Sequence, residues 1–586
     1  MGTADGDRPW LSFGGRSGDG KEEIGAEKAN VHFALSCSRS LLPLIQIYLM
    51  QKIVNLISVN QSLSTSNELY NLIFIYTLAL ILELICGKIA EYNIMHFRTE
   101  IELSFTEEIL TKVCYLSLSS FEESDVQNKV RRICSFGSNT IYTTLNFVLE
   151  IIINSIVLFV SVIYVIKIDT NLIFPLCIVS AYSSLKFIDV SKKNYEIDFL
   201  QTEQRKENWY YNFLITQNKS FKELKVFGGV NKIVKKIKSN IMKFFSDEKY
   251  LFWYSLKKTG LWQVYNIIIV IYVLIRFSSN GNFNVGDLLA TIQIVNKYLG
   301  ASQSMLSSIT TFNEKKLLLT EVFDFLDSRE VNSRDDFNPE SFKKISIIHG
   351  SVKCSETIIL EEIQLDLEEG NVYFVVGENG AGKTSLIKCL CGLYELEKGE
   401  IYLDDRIVRK SEQLLNYCSV QFQDFTELEM DVVDNIYFST EEKDSVETSK
   451  ILCQVGLKTK VNSLPQKERT RLGTWFSNSV NLSGGEWQRL AIARALSRDA
   501  KIYLFDEPTS MQDLFSKERI ITILRKLCKN SIVVIINHNI ENLRPEDKVI
   551  FISNKIVNNV QIHQQLIEDN HEYAEFVRRG SNEKNS

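Results

Sequence analysis

Nine consecutive residues have the types and spacing for phosphate chemistry: Gly377, Glu378, Asn379, Gly380, Ala381, Gly382, Lys383, Thr384 and Ser385. They follow the apolar run 372–376, which reads as a buried strand, and precede 386–390, which reads as the start of a helix. In that setting G-x-x-x-x-G-K-[ST] means a phosphate-binding loop. Its glycines let backbone N–H groups turn inward around phosphate oxygens. The helix start adds partial positive charge. Lys383 reaches the terminal phosphates as a compact cation, and the Thr384 hydroxyl suits Mg²⁺.

Two further stretches belong to the same chemistry. Residues 501–506 read as a buried strand ending in Asp506 and Glu507. An acid at a strand's C-terminal end lies beside the phosphate loop in a doubly wound sheet. Asp506 is then a Mg²⁺ ligand, directly or through water. Glu507, one residue on, points differently and is placed to orient or deprotonate an attacking water. Between the two, Leu482, Ser483, Gly484, Gly485 and Glu486 open a long helix, a second anion-binding helix start. If both helix starts cannot reach one nucleotide within a chain, the second serves a nucleotide held by another chain.

The elements that must position these residues occupy only the second half of the chain. At 586 residues the protein exceeds one ordinary domain. The 45% hydrophobic and 24% charged content conceals two unlike halves, an apolar one up to about residue 325 and a charged, punctuated α/β one after it. The expected organisation is a tail at 1–30 without structure, a transmembrane domain at 31–325, a polar linker at 326–341, a nucleotide-binding domain at 342–575 and a flexible tail at 576–586. A net charge of −6 argues against a nucleic-acid partner. The 11 cysteines include no C-x-x-C pair and read as reduced, packed thiols.

Six apolar segments approach membrane-spanning length: 31–57, 70–90, 145–166, 171–188, 256–277 and 286–309. A lipid-exposed helix needs ~20 mostly apolar residues. The sixth is more polar, with Gln293, Asn296 and Gln303, and fits a water-filled path better than lipid. Lys and Arg crowd the two long loops after the second and fourth segments, while 58–69 and 278–285 have none. The positive-inside rule puts the long loops, both termini and the soluble half in the cytoplasm. The long loops read as helices turning over near 121–128 and 213–224, their apolar turn residues contacting the soluble domain. Glu83 and Glu150 lie inside spanning segments and are candidates for substrate contact.

The set 377–384, 482–486, Asp506, Glu507 and His538 resembles the nucleotide-binding domain of ATP-binding cassette proteins, and with six preceding spans the chain resembles an exporter half-transporter. The resemblance implies an all-α six-helix transmembrane domain followed by an α/β P-loop domain. It implies ATP and Mg²⁺ as cofactors and a head-to-tail dimer with two ATP molecules, each between one chain's phosphate loop and the other's Ser483, Gly484, Gly485 and Glu486. A homodimer is expected, with a heterodimer left open. It further implies that Gln423 senses Mg²⁺ and couples to the membrane domain, and that His538 contacts the γ-phosphate.

Within that class, residues 472–476, Trp487 with Gln488, and the loop 211–227 resemble the lantibiotic exporters, which move lanthionine-containing precursor peptides. The location implied is a bacterial plasma membrane, with cytoplasmic peptide-modifying enzymes as further partners. Only ~30 residues precede the first span, too few for a peptidase domain, so export without leader cleavage is the expectation. The alternatives are a lipid or hydrophobic-drug exporter, and a non-transporting sensor or immunity protein. Two departures stand out. No aromatic except His349 lies at 348–353, where the family has an adenine-stacking Tyr. Residues 510–513 read Ser-Met-Gln-Asp instead of Ser-Ala-Leu-Asp.

Overall fold

A computed structural model describes residues 19–59, 66–168, 170–279, 284–327, 342–354, 357–438, 445–537 and 543–582. They divide into two units. The first takes the chain up to Cys114 and from Lys129 to Arg329, the second Tyr115–Asn128 and Glu330–Ser586.

Among the described residues eight α-helices precede the sheet: α1 (Asp19–Val59), α2 (Ser66–Cys114), α3 (Leu118–Glu122), α4 (Ser124–Ile168), α5 (Ile173–Thr216), α6 (Asn218–Val226), α7 (Gly229–Ser279) and α8 (Val285–Asp327). The six long ones contain the six apolar segments. Among the described residues four stretches are long and apolar enough to cross a membrane, in α1, α2, α4 and α5. The apolar part of α7 is shorter, Ile267–Ser278. Polar residues of α8 lower its hydropathy, as the sequence led us to expect.

The helices run well beyond the apolar segments, and α3 and α6 form the two turns expected in the long loops. Ser117 caps α3 by accepting from the Ser120 N–H at 3.3 Å. One boundary differs: α1 begins at Asp19, inside the stretch expected to lack structure. Residues 21–28 read Lys-Glu-Glu-Ile-Gly-Ala-Glu-Lys, mostly strong helix formers joined to an existing apolar helix. At the other end a helix occupies His571–Asn582, most of the stretch expected to be a flexible tail. Its amphipathic sequence packs Tyr573, Phe576 and Val577 into the core. The linker residues 328–341 lie outside the described residues.

Polar side chains in the first unit pair between helices. Gln46 of α1 donates to Glu83 of α2 at 2.6 Å, and Ser308 of α8 donates to Glu150 of α4 at 2.7 Å. The two intramembrane carboxylates are thus joined to neighbouring helices. Near the ends of α1 and α8, Gln51 and Asn55 both donate to Asp287, at 2.7 and 2.8 Å. Tyr164 of α4 donates to Gln51.

The second unit continues with β1 (Lys344–Cys354), β2 (Thr357–Glu368), β3 (Val372–Gly377), α9 (Lys383–Leu390), β4 (Leu396–Leu403), β5 (Arg406–Val408) and β6 (Cys418–Gln421). Then come α10 (Val432–Ile436), α11 (Ser445–Gln454), α12 (Lys458–Asn462), α13 (Gly484–Leu496), β7 (Ile502–Asp506), α14 (Leu514–Leu527), β8 (Ile532–Ile536), β9 (Lys548–Ser553), β10 (Ile556–Val557), β11 (Gln561–Ile562), α15 (His563–Asp569) and α16 (His571–Asn582). The sheet order is β5-β4-β1-β2-β10-β9-β3-β8-β7-β6, with β11 beside β9. Strands β6, β7, β8, β3 and β9 run parallel, and β1, β2, β4 and β5 antiparallel.

The parallel strands are buried on both faces, which explains their unbroken apolar runs. Phe374, Phe505, Val533 and Phe551 enter the core shared with α13 and α14. Tyr373, Val375, Leu504, Val534 and Ile550 point the other way, into the core shared with α9, β1 and β2. Burying each of the larger side chains contributes about 1.5–3 kcal/mol. Between them the two cores hold the C-terminal ends of β3, β7 and β8 side by side.

Candidate functional site

The phosphate loop is the link between β3 and α9. Gly377, Gly380 and Gly382 take φ values of 157°, 81° and 101°. At Gly382, the residue that caps α9, a Cβ would lie 2.6 Å from Leu360 Cδ2, so both the left-handed φ and the tight packing require glycine. A Cβ at Gly377 would collide with the Ile552 carbonyl of β9. Glu378, Asn379 and Gly380 form the exposed rim, with Ala381, Thr384 and Ser385 half-buried behind it.

Lys383 is buried, and its Nζ donates to the carbonyls of Gly377 and Glu378, both at 2.9 Å. The ammonium therefore bridges the mouth of its own loop. Burial holds its pKa below the ordinary lysine value, opposed by the negative charges of Glu507 and Asp506.

Thr384 Oγ1 donates to Asp506 Oδ2 at 2.7 Å. Asp506 ends β7 and is 1% exposed. A hydroxyl and a carboxylate sharing one point at the mouth of a phosphate loop are hard oxygen donors suited to Mg²⁺. Next to it, Glu507 is half-buried with φ +49°, a left-handed conformation uncommon for a side chain of this kind. Its N–H donates to Ile536 of β8 at 3.2 Å. The Lys383, Thr384, Asp506 and Glu507 expected from sequence are brought together here, because β8 separates β3 from β7 by a single strand.

The signature residues stand on another turn. Ser483 caps α13 by accepting from the Glu486 N–H at 3.3 Å, while the Glu486 carboxylate accepts from the Ser483 N–H at 2.8 Å. Burial pushes the Glu486 carboxyl upward, but bonds from Ser483 and the charge of Lys460, 3.5 Å away, outweigh it and hold it below its ordinary value. Ser483 and Gly484 are exposed, presenting the helix start to the surface.

Gln423 is exposed in the loop after β6. Its neighbour Gln421 is buried, and its amide donates to the Phe422 carbonyl at 2.6 Å and the Asp506 carbonyl at 3.4 Å. Sequence reasoning passed over Gln421; its place as the last residue of a strand, level with Phe505 of β7, was the available signal. His538 lies outside the described residues. His349 has φ +48° within β1.

Two more clusters complete the picture. Glu429 Oε2 accepts from the N–H groups of Thr474 and Trp475, at 3.0 and 2.7 Å, so the segment 472–476 is anchored to the loop after β6 that holds Gln423. Within the second unit, Glu122 of α3 receives Lys388 Nζ at 2.9 Å and the Tyr394 hydroxyl at 2.7 Å, and Leu118 packs on the second core. The first turn of the long loops thus joins the ATP unit, as the apolar pattern suggested.

A phosphate loop, a carboxylate pair at the end of the next-but-one parallel strand and a separate capped signature helix, preceded by six long helices, define an ABC transporter half-transporter. Residues 360–510 match the family described as ABC transporter, and the chain is such a half-transporter with an exporter fold. Its second unit is an ATP-binding domain with ATPase activity coupled to transport, and the chain is an integral plasma-membrane protein.

The chain is 25% identical over 548 residues to the subtilin transport ATP-binding protein SpaT of Bacillus subtilis, covering 90% of this chain and 87% of that one. It is 25% identical over 558 residues to the nisin transport ATP-binding protein NisT of Lactococcus lactis subsp. lactis, covering 92% of each. Its fold is similar to a bacterial Atm1-family ABC exporter with ATP bound, at a TM-score of 0.77 and 17% identity, covering 95% of this chain and 98% of that one.

Proposed function

We propose that this half-transporter exports a lanthionine-type precursor peptide, working as a dimer in a bacterial plasma membrane with its ATP units and termini cytoplasmic. The single observation that carries the cargo reading is the likeness to the subtilin and nisin transport proteins along nine-tenths of the chain, membrane half included. Peptide-modifying enzymes acting on the same precursor fit this reading as cytoplasmic partners.

In this mechanism the loop 377–385 binds ATP, Lys383 leaving its two carbonyls to meet the terminal phosphates. Thr384 and Asp506 would hold Mg²⁺, which supplies charge neutralisation on the phosphate oxygens. Glu507 orients the attacking water and accepts its proton. Residues 483–486 contact the ATP held by the other chain. Gln423 reports the bound state, and His538 contacts the γ-phosphate. Closure of the two ATP units turns the helices outward, and hydrolysis resets them.

Transport into sealed inside-out vesicles tests the cargo. ATP-dependent uptake and stimulated ATPase with a lanthionine-bridged peptide, and neither with its linear counterpart, are expected. Uptake of lipid or hydrophobic dye without peptide uptake, or ATPase activity with no cargo moved, would replace this reading by a drug exporter or a sensor.

A further inference from the structure

The departure at residues 510–513 is occupied by a buried amide network that the sequence did not announce. Gln488 lies on α13 and is 0% exposed; Gln512 lies after Glu507 and is 9% exposed. Gln488 Nε2 donates to the carbonyl of Glu507 and to Ser510 Oγ, both at 3.0 Å. Its Oε1 accepts from the Met511 N–H at 3.2 Å and from Gln512 Nε2 at 2.9 Å. Gln512 Nε2 also donates to the Gly485 carbonyl at 2.8 Å. Both N–H bonds and both acceptor positions of the Gln488 amide are thereby used, so its orientation is fixed.

That amide holds a backbone that needs holding. Glu507 is in the left-handed region, where a non-glycine residue persists only when its surroundings over-determine it. Its N–H is tied to Ile536 and its carbonyl to Gln488 and to the Ser510 N–H. These bonds fix the peptide planes on either side of the Cα that carries the carboxylate. The turn lies tightly on α13: a Cβ at Gly485 would lie 2.7 Å from the Met511 carbonyl.

We propose that Gln488 is a positioning residue for Glu507, and that Gln512 ties this support to Gly485 of the signature turn. This rests on the reading of Glu507 as the base that serves the chain's own ATP. Because 483–486 would touch the ATP of the other chain, the path Gly485–Gln512–Gln488–Glu507 connects, inside one chain, the two nucleotides of the dimer. The side chain of leucine, the family's residue at 512, has no N–H to offer Gln488 or Gly485.

The test compares Gln488→Glu, Gln488→Leu and Glu507→Gln in the full-length membrane protein. Gln488→Glu keeps an acceptor for Met511 and Gln512 and loses the donors to Glu507 and Ser510. At neutral pH both Gln488 variants should lose kcat by about 10- to 100-fold, the scale of misplacing a reacting group by about 1 Å, with KM for ATP unchanged within about twofold. Lowering the pH should restore activity in Gln488→Glu, whose protonated carboxyl donates again, but not in Gln488→Leu. In the Glu507→Gln background, Gln488→Leu should leave the amount of trapped ATP unchanged. An unaltered kcat in Gln488→Glu, or losses of kcat, ATP binding and Tm in parallel without acid recovery, would overturn the proposal. Wild-type turnover in Glu507→Gln itself would instead remove the reading on which it rests.

Discussion

The Thr384 hydroxyl donates to Asp506 at 2.7 Å, although 122 residues separate the two in sequence. This bond joins the first turn of α9 to the end of β7 and gathers hard oxygen donors at the mouth of the phosphate loop. Asp506→Asn should lower kcat on the order of 10²–10³-fold, as loss of a preorganised charge contact does. Thr384→Val, which removes one oriented hydroxyl, should lower it about 10-fold, or ~1.4 kcal/mol. Steady-state ATPase assays across a Mg²⁺ titration check both, and the Mg²⁺ requirement should rise in each.

Glu507→Gln removes the proton acceptor while preserving shape and the backbone bonds at its N–H and carbonyl. Hydrolysis should fall about 10²–10⁴-fold, the usual contribution of a general base. Photolabelled or radiolabelled ATP should then stay bound through gel filtration. Release at the wild-type rate, with turnover intact, would remove Glu507 from the reaction.

Lys383 gives a pH prediction with two signs. Its pKa is held below the ordinary 10.5 by burial. Between the folded value and 10.5 the unfolded chain binds the extra proton, so stability of the nucleotide-free ATP unit rises with pH across that window. ATP affinity needs the ammonium and moves the other way. The alkaline limb of kcat/KM should therefore fall below pH 10.5, and in Lys383→Arg, whose cation does not titrate there, it should move to higher pH.

Arg525 of α14 forms a bidentate pair with Asp547, at 2.5 and 2.6 Å, and lies over the Phe374 ring. The Asp547 side chain is 5% exposed and also accepts from the Arg544 N–H at 2.7 Å. Asp547→Ala leaves a largely buried guanidinium without its anion and should destabilise the ATP unit by about 3–5 kcal/mol. For a unit of this size that is a Tm decrease of roughly 10 °C. Phe374 begins the approach to the phosphate loop, so ATP protection against unfolding should diminish in the same variant.

The chain's chemistry was legible where it is local. The loop 377–385, the capped signature at 483–486 and the Asp506–Glu507 pair each follow from residues within one turn. Glycine φ demands, helix-start hydrogen bonding and unbroken apolar runs act over that distance. The long helices were equally legible, because each contains a run more apolar than its flanks, although among the described residues only those in α1, α2, α4 and α5 are long and apolar enough to cross a membrane. Their continuation through the long loops was read from spaced apolar residues, but the start of α1 at Asp19 was not: its residues 21–28 are mostly charged and small, with Ile24 their one large apolar side chain, and are sustained by the helix already nucleated.

What required the tertiary structure depends on sheet order and side-chain direction. Gln421 and Gln423 are two residues apart, yet the strand register buries the first against Asp506 and leaves the second exposed. In sequence the exchange at Gln512 is only a departure from the family pattern, and the approach of α13 to the turn after β7 shows it as a partner of Gln488 and Gly485. The sequence thus determined which residues could act on ATP. Their assembly was decided by the order β3-β8-β7, which brings strand ends more than a hundred residues apart within bonding distance. Hydrogen bonds of that kind are selected by packing and leave no local pattern to read.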